Sequence, residues 1–392
     1  MKNRVKSLVL DANGIPLPEN VFFDTLVRGI FGLKITADDF HPAIRKNRRI
    51  QKYFGQRYES LSYVIDWRDA ICESPELDVH VCNLLNLVEV ASARKNISRY
   101  PLIFVLHSAA GDNLSMLHRA TGWLNHRKGK LAVFVGNEYD LLEEKIQFIK
   151  SVEADFICSQ LPIETARWLY AECGRSRILP TPHALNPRVY FPDAPHLRTI
   201  DMGFVGDLYA RIIGDSERTA LVEYIQQHGP SLGIHYDFRF KRYSRNEWAQ
   251  FLRSCKGILG AESGTYYLDR RGEGIARAKA YTSAHPQAEL AEIIENCFTG
   301  LEHISGKAIS SRHFEPIGTK TCQVLIEGEY NGILKADEHF ISVKKDLSNV
   351  AEALSRFMND NYRNTMVEEA YHYVLSNHTY RHRVESLLDV VL

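Results

Sequence analysis

No stretch of this 392-residue chain approaches the roughly 18 consecutive apolar residues that a membrane helix needs, so no membrane-spanning helix is expected in it. An excess of one charge is missing too. Forty-eight basic residues balance 48 acidic ones, which excludes the basic footprint of a nucleic-acid binder. The cluster Arg45-Lys46-Asn47-Arg48-Arg49 reads as a solvated surface segment. The seven cysteines, Cys72, Cys82, Cys158, Cys173, Cys255, Cys297 and Cys322, are odd in number and never spaced as a metal knuckle. They read as reduced thiols in a cytoplasmic protein. The opening residues are basic, but the apolar run behind them is short and Asp11 ends it, which argues against a signal peptide. The expectation is a cytoplasmic protein with at most peripheral membrane contact and no nucleic-acid partner. Internal repeats and low-complexity tracts are absent as well.

What is there is the composition of a globular protein, 45% hydrophobic and 24% charged, in a chain long enough for two cores. Short apolar runs alternate with longer amphipathic stretches, the pattern of βαβ units and a parallel sheet. Ser7–Leu10, Val79–Leu84, Leu102–Leu106, Leu131–Val135 and Phe156–Ser159 read as buried strands, with helices at Leu141–Ser151 and Ile163–Cys173. The aromatic and charged stretch Phe31–Tyr63 fits neither pattern. Pro180, Pro182, Pro192 and Pro195 then break regular structure and suit an interdomain crossing. The alternation restarts with strands at Met202–Val205, Tyr236–Phe240, Gly257–Gly260 and Cys322–Glu327. Tyr266–Ser311, with helices at Gly274–Tyr281 and Gln287–Cys297, reads as an insertion, and 349–391 as a helical tail.

The most informative stretch is Ser310-Ser-Arg-His-Phe-Glu-Pro-Ile-Gly-Thr-Lys-Thr-Cys-Gln-Val-Leu325. It reads as a polar turn, a helix opened near Phe-Glu-Pro, then an apolar strand. A carboxylate at a helix start is favoured by the dipole, free backbone N–H groups there hold phosphate, and Pro316 suits a first turn. From spacing alone, Glu315 is either a cap or a ligand group.

This stretch resembles the signature of group 1 glycosyltransferases of the GT-B type, in which a Phe-Glu pair opens a helix and a small residue and a strand follow. The resemblance implies that Glu315 binds the nucleotide ribose hydroxyls. It places Thr319, Lys320 and Thr321 at the family's small turn residues, and Arg312 beside the nucleotide. Lys320, where a Gly is usual, either reaches a diphosphate or is merely exposed. The family often carries a second Glu eight residues earlier, against the sugar; here Lys307 stands there. A substitute is Glu262 in Gly260-Ala-Glu-Ser-Gly-Thr265, if it is not simply a polar turn residue. Asp201-Met-Gly-Phe-Val-Gly-Asp207 resembles the opening strand and loop of the donor domain, with Gly206 approaching the diphosphate and Arg211 neutralising it. Asn377-His-Thr-Tyr-Arg-His-Arg383 resembles the closing motif of the spore-maturation-protein-like (CgeB-like) glycosyltransferases. His378 and His382 stand four apart, as a metal pair would, but a helix cap with surface histidines is the plainer reading.

The fold class implied is α/β, with two Rossmann-like domains facing across a cleft and a C-terminal helix packing back on the first. The expected division is an acceptor domain at 1–185, a donor domain at 186–376 with its insertion at about 266–311, and a returning helix at 377–392. Strand-end polar groups of the first domain hold the acceptor in such sheets, which picks Asp11–Gly14, His107-Ser108 with Asp112, and Gly136-Asn-Glu138. His107 or Glu138 is then either the base for an acceptor hydroxyl or a structural strand-end residue. The implied reaction moves a hexosyl-type sugar from a nucleotide diphosphate sugar to a hydroxyl acceptor in glycan or polysaccharide biosynthesis. The acceptor is a glycan, a lipid-linked sugar or a small molecule. No cofactor and no metal are expected, the nucleotide sugar being a substrate. The alternatives are a nucleotide-sugar epimerase or hydrolase, or a non-catalytic carbohydrate-binding subunit that keeps the fold.

Overall fold

The computed structural model describes residues 4–32, 43, 47–48, 62–193, 198–208, 210–241 and 243–392. Most of the basic cluster at 45–49 and of the unassigned 31–63 stretch lies outside them. Two compact units result. The first comprises Met1–Ser159, Tyr170–Pro180 and Val384–Leu392, and the second Gln160–Leu169 and Thr181–Arg383.

The first unit is built on a six-stranded sheet of β1 (Val5–Asp11), β2 (Leu77–Asn83), β3 (Leu102–Val105), β4 (Lys130–Phe134), β5 (Phe156–Ser159) and β6 (Arg177–Pro180). Its order is β2-β1-β3-β4-β5-β6 and every pairing is parallel. β3 and β5 are buried at every position, because helices cover both faces of a parallel sheet. Pro180 belongs to β6, not to a linker as the proline spacing suggested. β6 is an edge strand, where a residue without an N–H is tolerated.

The second unit carries β7 (Ile200–Val205), β8 (Tyr236–Arg239), β9 (Cys255–Gly260), β12 (Cys322–Ile326) and β13 (Ile341–Val343), in the order β13-β12-β9-β7-β8, again all parallel. A separate antiparallel pair, β10 (Leu268–Asp269) with β11 (His303–Ile304), closes the base of the insertion. Between them run two helices, Glu273–Ala284 and Leu290–Cys297, near where the sequence placed them. One face of this sheet packs Trp248, Phe251, Phe314 and Tyr330. The other packs Leu221, Ile225, Val350 and Phe357. From β7 the chain goes out to β8, then returns past β7 to β9. The sheet therefore has its switch point between β7 and β9, where open α/β sheets bind ligands at the strands' carboxyl ends.

Candidate functional site

Gly206 follows β7 and Glu262 follows β9, so both lie at that switch point. The helix Ser311–Gly318 starts at the same edge. Its His313 accepts from the Ser310 N–H at Nδ1 (2.9 Å), and its Nε2 stands 3.1 Å from the carbonyl of Ala261, just past β9. With Nδ1 an acceptor, the ring's proton sits on Nε2 and is donated to that carbonyl. Burial lowers the His313 pKa to about 4, which keeps the ring neutral in this role. One histidine thus closes the helix cap with Ser310 and ties the helix start to the end of β9.

The helix begins five residues before Pro316, so Glu315 is in its second turn and does not cap it. This corrects the reading of a helix opened at Phe-Glu-Pro. The proline lacks the N–H of an ordinary turn. Nearby, the Gln323 side chain donates to the His313 carbonyl at 3.0 Å. Glu315 is 2% exposed, and the Trp248 indole donates to its Oε2 at 2.7 Å. Arg312 lays its guanidinium over the Trp248 ring, 4.2 Å from the centroid, with Nε 4.0 Å from the same Glu315 oxygen. Trp248, absent from the sequence-based candidates, therefore orients both. Arg312 Nη1 and Arg211 Nε are each buried without a hydrogen-bond partner among the described residues.

Thr319, Lys320 and Thr321 are not part of this arrangement. They follow the C-terminus of the helix and lead into β12, at the amino end of the sheet. An eight-residue helix carries them about 12 Å from its start. Thr319 Oγ1 donates to the Pro316 carbonyl (3.0 Å) and Thr321 Oγ1 to that of Leu252 (2.8 Å). Lys320 pairs with Glu368 at 2.7 Å and lies over Tyr371. These three groups hold the fold.

Glu262 accepts the Tyr330 N–H at 2.7 Å. Burial pushes its carboxyl above the usual range, against the pull of that N–H and of Lys307. Lys307 bonds Asp215 and stands 3.6 Å from Glu217. Glu262 and Glu315 are thus held by different partners, one by the turn after β12 and the other by Trp248. The insertion does return on itself. Ser263 and Ala308 form an antiparallel bridge, so residues next to Glu262 and Lys307 run side by side.

In the first unit, His107 follows β3, is 2% exposed, and packs its ring against Trp67 and Phe134 at 6.0 and 5.3 Å. Glu138 accepts from Ser159 Oγ (2.8 Å) and Tyr170 Oη (2.6 Å). Lys145, unforeseen from the sequence, donates to the carbonyls of Gly136 (2.7 Å), Asn137 (3.0 Å) and Asp140 (2.7 Å) and fixes the loop that bears Glu138. Burial lowers its pKa to about 8. Asp11 holds Ser108 and, at 3.2 Å, Arg68. His378 sits between Tyr373 and Arg383, and His382 caps its helix through Thr379, so each is a packing residue.

Residues 242–389 match the family model described as glycosyl transferase-like. That segment contains Trp248, Glu262, Lys307, Arg312 and Glu315, and leaves out the whole first sheet. No curated protein matches the sequence. Among solved structures, the chain is similar to Alr3699/HepE of Anabaena in complex with UDP and glucose, at 10% identity and TM-score 0.48, covering 98% of this chain and 100% of that one. It is also similar to sucrose-phosphate synthase of Thermosynechococcus elongatus, at 12% identity and TM-score 0.48, covering 99% and 98%. A UDP-N-acetylglucosamine 2-epimerase follows at 10% identity and TM-score 0.42, covering 99% and 96%. Likeness at this level carries no argument about activity.

Proposed function

We propose that this protein is a glycosyltransferase that moves a hexosyl-type sugar from a nucleotide diphosphate sugar to a hydroxyl acceptor, in glycan or polysaccharide biosynthesis in the cytoplasm. The observation that carries the reading is the glycosyl transferase-like match over 242–389, the segment that holds Glu315 and its Trp248 and Arg312 partners. In this reading Glu315 binds the ribose, while Gly206, Arg211 and Arg312 face the diphosphate. Glu262 faces the sugar. Cationic side chains stabilise the departing nucleotide, so the transfer proceeds without a metal. The acceptor, a glycan, a lipid-linked sugar or a small molecule, binds the first unit, where His107 or Glu138 takes the hydroxyl proton. The closing motif Asn377–Arg383 supports placing it with the spore-maturation-protein-like enzymes.

The test is a panel of nucleotide diphosphate sugars and free nucleotides, read by thermal stabilisation and by nucleotide release with and without acceptor. A bound ligand raises apparent stability by RT ln(1 + [L]/Kd). Acceptor-dependent nucleotide release is the expected result. Conversion of the sugar without acceptor would make it an epimerase, release to water a hydrolase, and binding without turnover a carbohydrate-binding subunit. A chain stabilised by no member of the panel would end the nucleotide-sugar reading.

A further inference from the structure

We propose that the excursion between β9 and the Ser311 helix organises the loop facing the donor's diphosphate, and that Lys307 is its positioning residue. The proposal rests on the donor-site reading above. The segment in question is 206–208 with 210–215, which leaves β7 at the switch point and bears Arg211. Gly206 N–H donates to the Arg239 carbonyl at 3.1 Å, and four contacts from the excursion hold the part from Arg211 to Asp215. Thr265 Oγ1 donates to the Ile213 carbonyl at 2.7 Å. The Arg211 side chain donates to the His285 carbonyl at 3.2 Å. Gly214, at φ 67°, lies so close under Tyr267 and Phe298 that a Cβ there would meet the Tyr267 ring at 2.9 Å. Lys307 closes the set by bonding the Asp215 carboxylate, while Asp215 also accepts the Glu217 N–H (2.8 Å) and so fixes the start of the next helix.

Lys307 is nearly inaccessible, with 4% of its side chain exposed, and the groups facing it are Asp215, Glu217, Glu262 and the Tyr266 ring. Tyr266 donates to Glu217 at 2.6 Å and accepts from Lys345 at 2.6 Å. A buried cation so enclosed by carboxylates holds them in place, and losing it leaves Asp215 without its ion pair, whereas Glu217 keeps Lys345 at 3.5 Å. The position where related sequences place a sugar-contacting Glu is occupied here by a group that fixes the loop instead. The two arms of the excursion are held together at its base. Gly264, at φ 91°, lies where a Cβ would come within 2.2 Å of the Gly306 carbonyl oxygen, and Gly306 N–H donates to the Thr265 carbonyl at 2.8 Å.

The experiment compares UDP, GDP and ADP with UMP, GMP and AMP by calorimetry on the full chain, using the pair that wild type binds best. Lys307→Met and the milder Thr265→Val are each expected to weaken the diphosphate about tenfold or more and the monophosphate less than about twofold. Lys307→Arg, which keeps a cation facing Asp215, is expected to retain most of the diphosphate affinity. In turnover assays the donor KM rises while the acceptor KM stays put. Equal losses for diphosphate and monophosphate, or unchanged diphosphate affinity in both single variants, overturn the proposal. If wild type binds no nucleotide at all, the donor-site reading falls first; if it binds and only the variants disappoint, this inference alone falls.

Discussion

At the scale of single residues, Glu315 holds two duties that separate on substitution. Its carboxylate accepts the buried Trp248 indole N–H and is the proposed ribose ligand. Glu315→Ala removes both, and a buried donor left without its acceptor costs about 1–3 kcal/mol. Lower nucleotide affinity together with a lower melting temperature is the expected outcome. Glu315→Gln keeps an acceptor for the indole, so it is expected to retain the wild-type melting temperature while losing affinity. Calorimetry beside thermal melts checks this, and a Gln variant that binds like wild type would remove Glu315 from the ribose. Arg211→Ala is expected to lower affinity for a diphosphate nucleotide about tenfold more than for its nucleoside, because a charge-assisted contact is worth roughly 1.5–3 kcal/mol. Equal losses for both ligands would argue against the role. Glu315 was singled out in the sequence because its neighbours form a motif. Trp248 was not, since 67 positions separate it from its partner and only the tertiary fold joins them.

At the scale of elements, the Ser311 helix shows why part of the motif was misplaced. The Phe-Glu-Pro order suggests a start at the proline, yet the cap is Ser310, six residues earlier, closed by His313. The later residues Thr319, Lys320 and Thr321 then fall at the amino end of the sheet, a consequence of helix length that adjacency in sequence hides. β6 and β13 went unread for a related reason. They are four and three residues long, and partly exposed, so neither has a run that separates strand from loop. The insertion's ends make the sharper test. Gly264→Ala puts a side chain at φ 91° and against the Gly306 carbonyl. The left-handed strain alone costs about 1–2 kcal/mol, and each kcal/mol lowers the melting temperature by roughly 2–4 °C in a domain of this size. Gly233→Ala, where a Cβ meets nothing within 4 Å, supplies the matched control for strain at φ 72°. Should the two variants melt together, the 264–306 contact does not secure the base of the excursion.

At the scale of the whole molecule, the parallel sheets were legible because their strands are continuous apolar runs, whereas the charge relations inside the second unit were not. Burial holds three of its histidines far below the ordinary range and lowers His339 as well. His183 is lowered from an ordinary 6.5 to about 3, and His313 and His378 to about 4, the second with the Arg383 charge adding to the effect. For such a group the unfolded chain binds the proton and the folded one does not. Stability is therefore fully present above about pH 6.5, falls as pH drops toward 4, and levels off once the folded group also protonates. Glu262 runs the opposite way, since a carboxyl held above its ordinary range weakens the fold at neutral pH and stops doing so in acid. The histidines outnumber it. For buried His313 alone the shift is on the order of 3 kcal/mol. The second unit is expected to lose stability progressively from pH 6.5 to 4. Urea titrations across that range, followed by tryptophan emission in a variant whose first-unit Trp67 and Trp123 are replaced by Phe, measure it. His313→Gln removes one titrating group and is expected to flatten the slope by about one proton while lowering stability at pH 7, where the bond to Ala261 is lost. A wild-type midpoint that stays constant between pH 6.5 and 4 would mean that these rings are not neutral in the folded protein.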